Sequence, residues 1–114
     1  MSALTPFRQS GPTVTIVAGT GDGEAQQAIC SSGELGNQQY VITNTGSNPA
    51  AICMAATEDL ALRGCILPTV ALPQNVYILL NGSQVTITGP DNAWFAAITT
   101  TGSSQIWITP GYGQ

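Results

Sequence analysis

The sequence predicts an all-β fold: a single-domain antiparallel β-sandwich, Greek-key or jelly-roll-like, over residues 13–114, with an extended N-terminal arm over residues 1–12. Three observations predict it. Short runs rich in Val, Ile, Thr and aromatic residues recur between Gly, Pro, Asn and Ser breakers. Within several runs apolar and polar residues alternate with the period of a half-buried strand. A single segment reads as helix. At 114 residues and 43% apolar, the chain fits one domain, and a chain of that length buries roughly 65% of its unfolded surface.

The elements follow in order. The stretch MSALTPFRQSGP carries Pro6, Gly11 and Pro12 without periodicity, so it reads as an arm outside the core. Phe7 and Arg8 are its anchoring side chains, suited to a neighbouring subunit. Thr13–Ala18 is the first strand, with Val14 and Ile16 on one face and Thr13 and Thr15 on the other. After the Gly19–Gly23 breaker, Ala25–Ser31 is a weaker strand. Gln39–Thr45 and Ala50–Ala56 follow, split by Gly46–Pro49.

Thr57–Arg63 is the helix: Thr57 caps it, and Glu58 and Asp59 suit its positive end. Arg63 stands four residues after Asp59, and Gly64 stops the turn. Asn75–Leu80 and Gln84–Thr88 flank Asn81–Gly82, which tolerates positive φ and predicts a hairpin. Ala93–Thr99 and Gln105–Thr109 close the chain, set off by Gly89–Asn92 and Gly102–Ser104. Val85 and Ile87 oppose Thr86 and Thr88; Ile106 and Ile108 oppose Gln105, Trp107 and Thr109. Trp107 is thus a large indole on a polar face.

Two runs are apolar on both faces: Val76–Leu80, with Tyr77 and Leu79 outward, and Ala93–Ile98, with Phe95 and Ala97 outward. Such strands need cover on both sides, from a second layer or another subunit.

Charge sets the chemistry. Six Asp/Glu and two Arg leave a net charge of −4, with no Lys and no His. A Schiff base, a Ser–His pair, a His-ligated metal and a P-loop lysine are all excluded. Neutral polar groups carry the solubility: 8 Ser, 14 Thr, 6 Asn and 9 Gln. No enzyme activity is expected. Nucleic acid and anionic membranes are poor partners, because both are held by clustered Lys and Arg. Low charge also leaves little repulsion to oppose protein association. No stretch reads as a signal peptide or reaches the ~20 apolar residues of a membrane span. Cys30, Cys53 and Cys65 make an odd set without CxxC spacing, read as free, mostly buried thiols.

Candidate sites are few. Val14–Ala28 imitates a strand, glycine-rich turn and helix, but Gly19, Gly21 and Gly23 give GxGxG rather than the dinucleotide GxGxxG. Asp22 and Glu24 could offer oxygens to Ca²⁺, without the further ligands a calcium loop needs. Asp22, Glu24, Glu34 and Asp91 could pair as glycosidase carboxylates, but Asp91 sits in a turn sequence where Asp bonds nearby backbone. No cofactor, metal or catalytic residue is assigned. Trp94, Trp107, Tyr40 and Tyr77 beside Asn, Gln and Thr could stack on sugars, as in a carbohydrate-binding β module of a host-recognition apparatus.

The pattern LPQNVYILLNG, followed by AWFAAITTTGSSQIWITPGYGQ, resembles small head-associated proteins of tailed bacteriophages. The family pattern is a Leu/Ile-Pro lead into a strand, an FAAI strand, a short Gly/Ser turn and an ITPG-x-G ending. GNQQYVITNTGSNPAAI fits less specifically, and the likeness covers about two-thirds of the chain. Gly19–Ser32 and Thr57–Gly64 fall outside it. The resemblance implies a capsid decoration or cement protein, a β-sandwich on the exterior of the virion, made in the bacterial host cytoplasm. Its partners would be the major capsid protein and its own copies, as a dimer or trimer. A tail or head-completion component is the neighbouring alternative. The interface residues expected are Phe7, Arg8, Tyr77, Phe95 and Trp107.

Overall fold

The computed structural model describes residues 8–20, 25–29, 38–72, 74 and 76–112, and for Arg8 and Tyr112 the backbone alone. Phe7, Cys30, Asp22, Glu24 and Glu34 lie outside the described residues. The elements are β1 (Arg8–Gln9), β2 (Val14–Ala18), β3 (Gln26–Gln27), β4 (Gln39–Asn44), β5 (Ala50–Ala55), α1 (Glu58–Gly64), β6 (Tyr77–Leu79), β7 (Gln84–Thr88), β8 (Trp94–Thr99) and β9 (Ser104–Tyr112). They form the predicted all-β sandwich of two antiparallel sheets.

One sheet runs β1/β2–β9–β4–β7 and the other β3–β8–β5–β6. β1 and β2 follow one another along the same edge of β9. Counted as one interrupted strand, they give chain orders of 1–8–3–6 and 2–7–4–5. Every connection except β5 to β6 therefore passes from one sheet to the other.

The inner faces match the alternation in the sequence. Ile16, Ala18, Ile42, Ile106 and Ile108 from the first sheet meet Ala50, Ile52, Leu79, Phe95 and Ala97 from the second, with Val14, Val85 and Ile87 packed beside them. Tyr40 and Phe95 cross between the sheets edge to face, with ring centroids 4.9 Å apart.

Several expectations need correction. The described part of the arm does not stay outside the sandwich: the backbone of Arg8 pairs with Tyr112 and that of Gln9 with Gly111 of the same chain. Phe95 is not outward but fully buried. Its register partner Met54 packs on the core, and Ala97 pairs with core Ile52. Trp94, Ala96 and Ile98 hold the outer face instead. Leu79 is likewise inward, at 2% exposure. Tyr77 shares its inner face but sits at the sandwich edge, 47% exposed. The outer face of the second sheet is covered from within the chain: α1 packs on β5 and β8, burying Ala51, Cys53, Ala96 and its own Ala61.

Asn81–Gly82 does make a tight turn, closed by Ser83 N–H donating to the Leu80 carbonyl at 3.1 Å. It is not a hairpin, because β6 pairs with β5 and β7 with β4. Gly82 has φ +74° and Asn81 a negative φ, the pattern of a type II turn, whereas hairpins favour positive φ at the first central residue.

The helix starts as the sequence indicates. Leu60 N–H donates to Thr57 Oγ1 at 3.2 Å, and Arg63 meets Asp59 at 3.1 Å. Gly64 has a different role from a left-handed stop. It is the last helical residue, and a Cβ there would stand 2.6 Å from Cys53 Sγ, so its absence lets the helix close on the sheet.

Pro110 falls inside β9, beyond the expected strand end. Gln105 accepts from Thr45 N–H and so turns its backbone toward β4's side, while Pro110 accepts from Ser10 N–H on the opposite edge. Antiparallel alternation therefore aims the donor that proline lacks at the gap between β1 and β2, away from the β4 ladder.

Tyr40 is held at both ends of its side chain. Its hydroxyl donates toward the Pro90 carbonyl and Gln38 Oε1 and accepts from Ala93 N–H at 3.0 Å. Tyr40→Phe should keep the ring and lose this network, destabilising the fold by about 1–3 kcal/mol. Phe95→Ala should cost about 3–5 kcal/mol, and Trp107→Ala no more than about 0.5 kcal/mol as a surface change. Urea denaturation of the three variants checks the order.

Candidate interaction surfaces

Two surfaces on the sandwich stand out, one apolar and one neutral-polar. The apolar one is a set of exposed side chains close in sequence, drawn from α1, residues 66–72, and β6 with Leu80 after it. Among the described residues, eight of the eleven exposed large apolar side chains lie between residues 60 and 80: Leu60, Leu62, Ile66, Val70, Leu72, Tyr77, Ile78 and Leu80. Val70 is the extreme, at 107% exposure. A turn holds it out: Thr69 N–H donates to the Leu72 carbonyl at 3.0 Å, and Leu72 N–H returns to Thr69 at 3.2 Å. Leu72 N–H also reaches Thr69 Oγ1 at 3.0 Å. Exposed Val and Leu on a turn, with further exposed apolar residues on an edge strand, are the kind of feature that marks a partner.

The second surface is the outer face of the β1/β2–β9–β4–β7 sheet. Trp107 lies on it, 45% exposed, as the sequence indicates. Register places Thr15 and Thr43 on either side of it, with Gln84 beyond Thr43. Gln84 Nε2 donates to Thr43 Oγ1 at 2.9 Å, and the hydroxyls of Thr13 and Thr109 bond at 2.7 Å. Thr13, Thr15, Val17, Gln39, Val41, Thr86, Thr88, Gln105 and Thr109 complete the face, and none of them is charged. Trp94 belongs to the other sheet.

Buried amides brace both ends of the sandwich. Gln38 Oε1 accepts from Asn92 N–H at 2.8 Å, pinning the turn in which Asn92 takes φ +50°. Gln27 Nε2 reaches the Asn92 carbonyl at 3.0 Å. At the opposite end, fully buried Asn44 donates to the carbonyls of Asn48 and Leu79 at 2.9 and 3.1 Å. Its Oδ1 accepts from Gly46 N–H at 2.9 Å. Ser104 Oγ bridges the amide and carbonyl of Asn48. Gly46 is required there, since a Cβ would stand 2.5 Å from Ser104 Cα.

Sequence reading singled out Tyr77 and Trp107, and the structure leaves both accessible on different sheets. It missed residues 66–72, which carry no periodicity. The available signal was composition: CILPTVALP holds four large apolar residues and no charge. Among the described residues no three Cys, Asp or Glu side chains gather as a metal site. No helix of the described chain is long and apolar enough to cross a membrane. No family model matches the chain, and no curated protein and no solved structure matches it.

Cys53 and Cys65 are free thiols. Burial pushes Cys53 up, and burial followed by the neighbouring Cys53 pushes Cys65 up to about 11. Both folded values lie above the ordinary thiol value of 9.0, so the native state favours the protonated form. That contribution to stability is complete below the unfolded value and is lost as pH rises through the folded value. In a Cys30→Ser background, stability should therefore hold to about pH 8 and fall between about pH 9 and 11. Cys53→Ala with Cys65→Ala should flatten that fall, as read by urea denaturation across pH.

Proposed function

We propose that this chain is a structural protein of a phage virion: a decoration or cement protein that binds the outside of the capsid shell and reinforces it, without cofactor or catalysis. The observation that carries this reading is the apolar surface of residues 60–80. Eight exposed large apolar side chains there offer area suited to burial against another protein. The phage-like patterns from Leu72 to Gly82 and Ala93 to Gln114 support it, since the first runs through that surface. The strand orders 1–8–3–6 and 2–7–4–5 are those of a jelly roll, an architecture that capsid domains use.

The partner in this reading is the major capsid protein, with copies of the chain joined as a dimer or trimer on the capsid exterior. Val70 and Leu72 are the anchors, with Tyr77 at the margin. Phe95 leaves the interface, since it is buried within the sandwich. Trp107 lies on the other sheet and does not share this contact.

Heads of the encoding phage assembled without the protein provide the test. Purified protein should co-sediment with them and occupy symmetry-related sites in their images. Val70→Asp with Leu72→Asp should lower occupancy at least about tenfold, the scale of losing one interface anchor, while circular dichroism stays unchanged. Wild-type protein that leaves heads bare, or binds only at the tail, overturns the reading.

A further inference from the structure

The outer face around Trp107 has a chemistry that the capsid contact does not use. Its indole is 45% exposed, with Thr15 and Thr43 directly beside it across the sheet, Gln105 and Thr109 along its own strand, and the valines Val17 and Val41 only on the diagonals. A protein interface centred on it would have to bury Thr and Gln around its anchor, where such cores are ordinarily apolar. Among the described side chains of the face none is charged, so they offer an ionic polymer neither cation nor carboxylate.

A sugar ring fits both features. Its C–H face is apolar and stacks on an aromatic ring, while its hydroxyls both donate and accept. Neighbouring strands stand about 4.8 Å apart, and alternate residues on one strand about 7 Å apart. Thr15 and Thr43 flank Trp107 across the sheet, and Gln105 precedes it on the same face. These positions surround one ring with hydrogen-bonding groups at the spacing of its substituents. Gln84 is already oriented by its bond to Thr43, which lowers the ordering cost of contact.

We propose that the outer face of the β1/β2–β9–β4–β7 sheet binds a neutral polysaccharide, one sugar ring stacking on Trp107 while Thr15, Thr43, Gln84 and Gln105 take its hydroxyls. The site is separate from residues 60–80 and does not rest on the capsid reading.

The test uses the full chain alone, without capsids. Trp94→Phe leaves Trp107 as the only tryptophan, so its fluorescence reports the face directly. The probes are neutral hexasaccharides of glucose, mannose, galactose and N-acetylglucosamine, with polygalacturonate as the anionic control. At least one neutral probe should shift the emission saturably, and raising the salt should not weaken it. Gln84→Ala with Gln105→Ala, in the same background, should weaken it about tenfold, the loss of two hydrogen bonds at roughly 0.7 kcal/mol each. Trp107→Ala should abolish binding in calorimetry with melting and circular dichroism unchanged. No saturable shift with any neutral probe, a preference for polygalacturonate, or full binding by folded Trp107→Ala overturns the proposal.

Discussion

The sandwich depends on Tyr40. Its ring stands in the core against Phe95 of the opposite sheet, and its hydroxyl leaves the core to hold the turn between β7 and β8. One side chain therefore fixes both the spacing of the layers and the entry of β8. Gln38 extends the same hold, meeting the Tyr40 hydroxyl and Asn92 N–H through one oxygen. Four residues along β4, Asn44 does the corresponding work for the other end, using a side-chain amide in place of an aromatic ring. Because β4 lies between β9 and β7, bracing its two ends positions the strands that carry Trp107 and Gln84.

Neutral groups do what charges do in many proteins. The described residues hold one ion pair in the helix, largely exposed on both sides, a geometry worth little to stability. Buried polar needs are met instead by Asn, Gln, Ser and Tyr, and among the described residues no buried side-chain nitrogen or oxygen lacks a partner. Such bonds are short-ranged and directional, so they specify turns without imposing a long-range field. The described side chains on the outer face of the first sheet carry no charge as a result. The outer face of the second sheet is covered by α1, while Trp107 on the first stands 45% exposed.

Strands bounded by alternation were legible. Val14/Ile16, Val85/Ile87 and Ile106/Ile108 turn inward as the period of two requires, and Trp107 stays outside because its neighbours Ile106 and Ile108 fix the parity. Phe95 was illegible for the same physical reason reversed. In Trp94–Ile98 every residue is apolar, so alternation carries no information until α1 takes one face. Ala96, which is small enough to lie under the helix, breaks the tie and sends Phe95 inward. Asn81–Gly82 revealed a turn but not its partners, since the same dipeptide serves a hairpin or a step between sheets. β1 escaped notice because two residues carry no periodicity, and the end of β9 because Pro110 looks like a breaker until its missing donor falls at an interruption. Of the candidate surfaces, Trp107 could be read from parity, while the Val70 turn follows from bonds between Thr69 and Leu72 that no pattern announces.

The two surfaces differ in what holds them, and this separates what each can do. Val70 is presented by a turn closed by its own residues, outside the hydrogen-bonded ladders, so that surface can adjust to the relief of a partner. Trp107 is fixed in the middle of a nine-residue strand paired on both edges, so its neighbours cannot rearrange without breaking the ladder. A rigid, neutral, hydroxyl-rich platform suits a small ring of defined spacing; a compliant apolar tip suits a large protein surface. The apolar side chains of β6 belong to one sheet and Trp107 to the other. A contact made through the β6 edge therefore does not use the Trp107 face, and a chain anchored there would still present Trp107 to solvent.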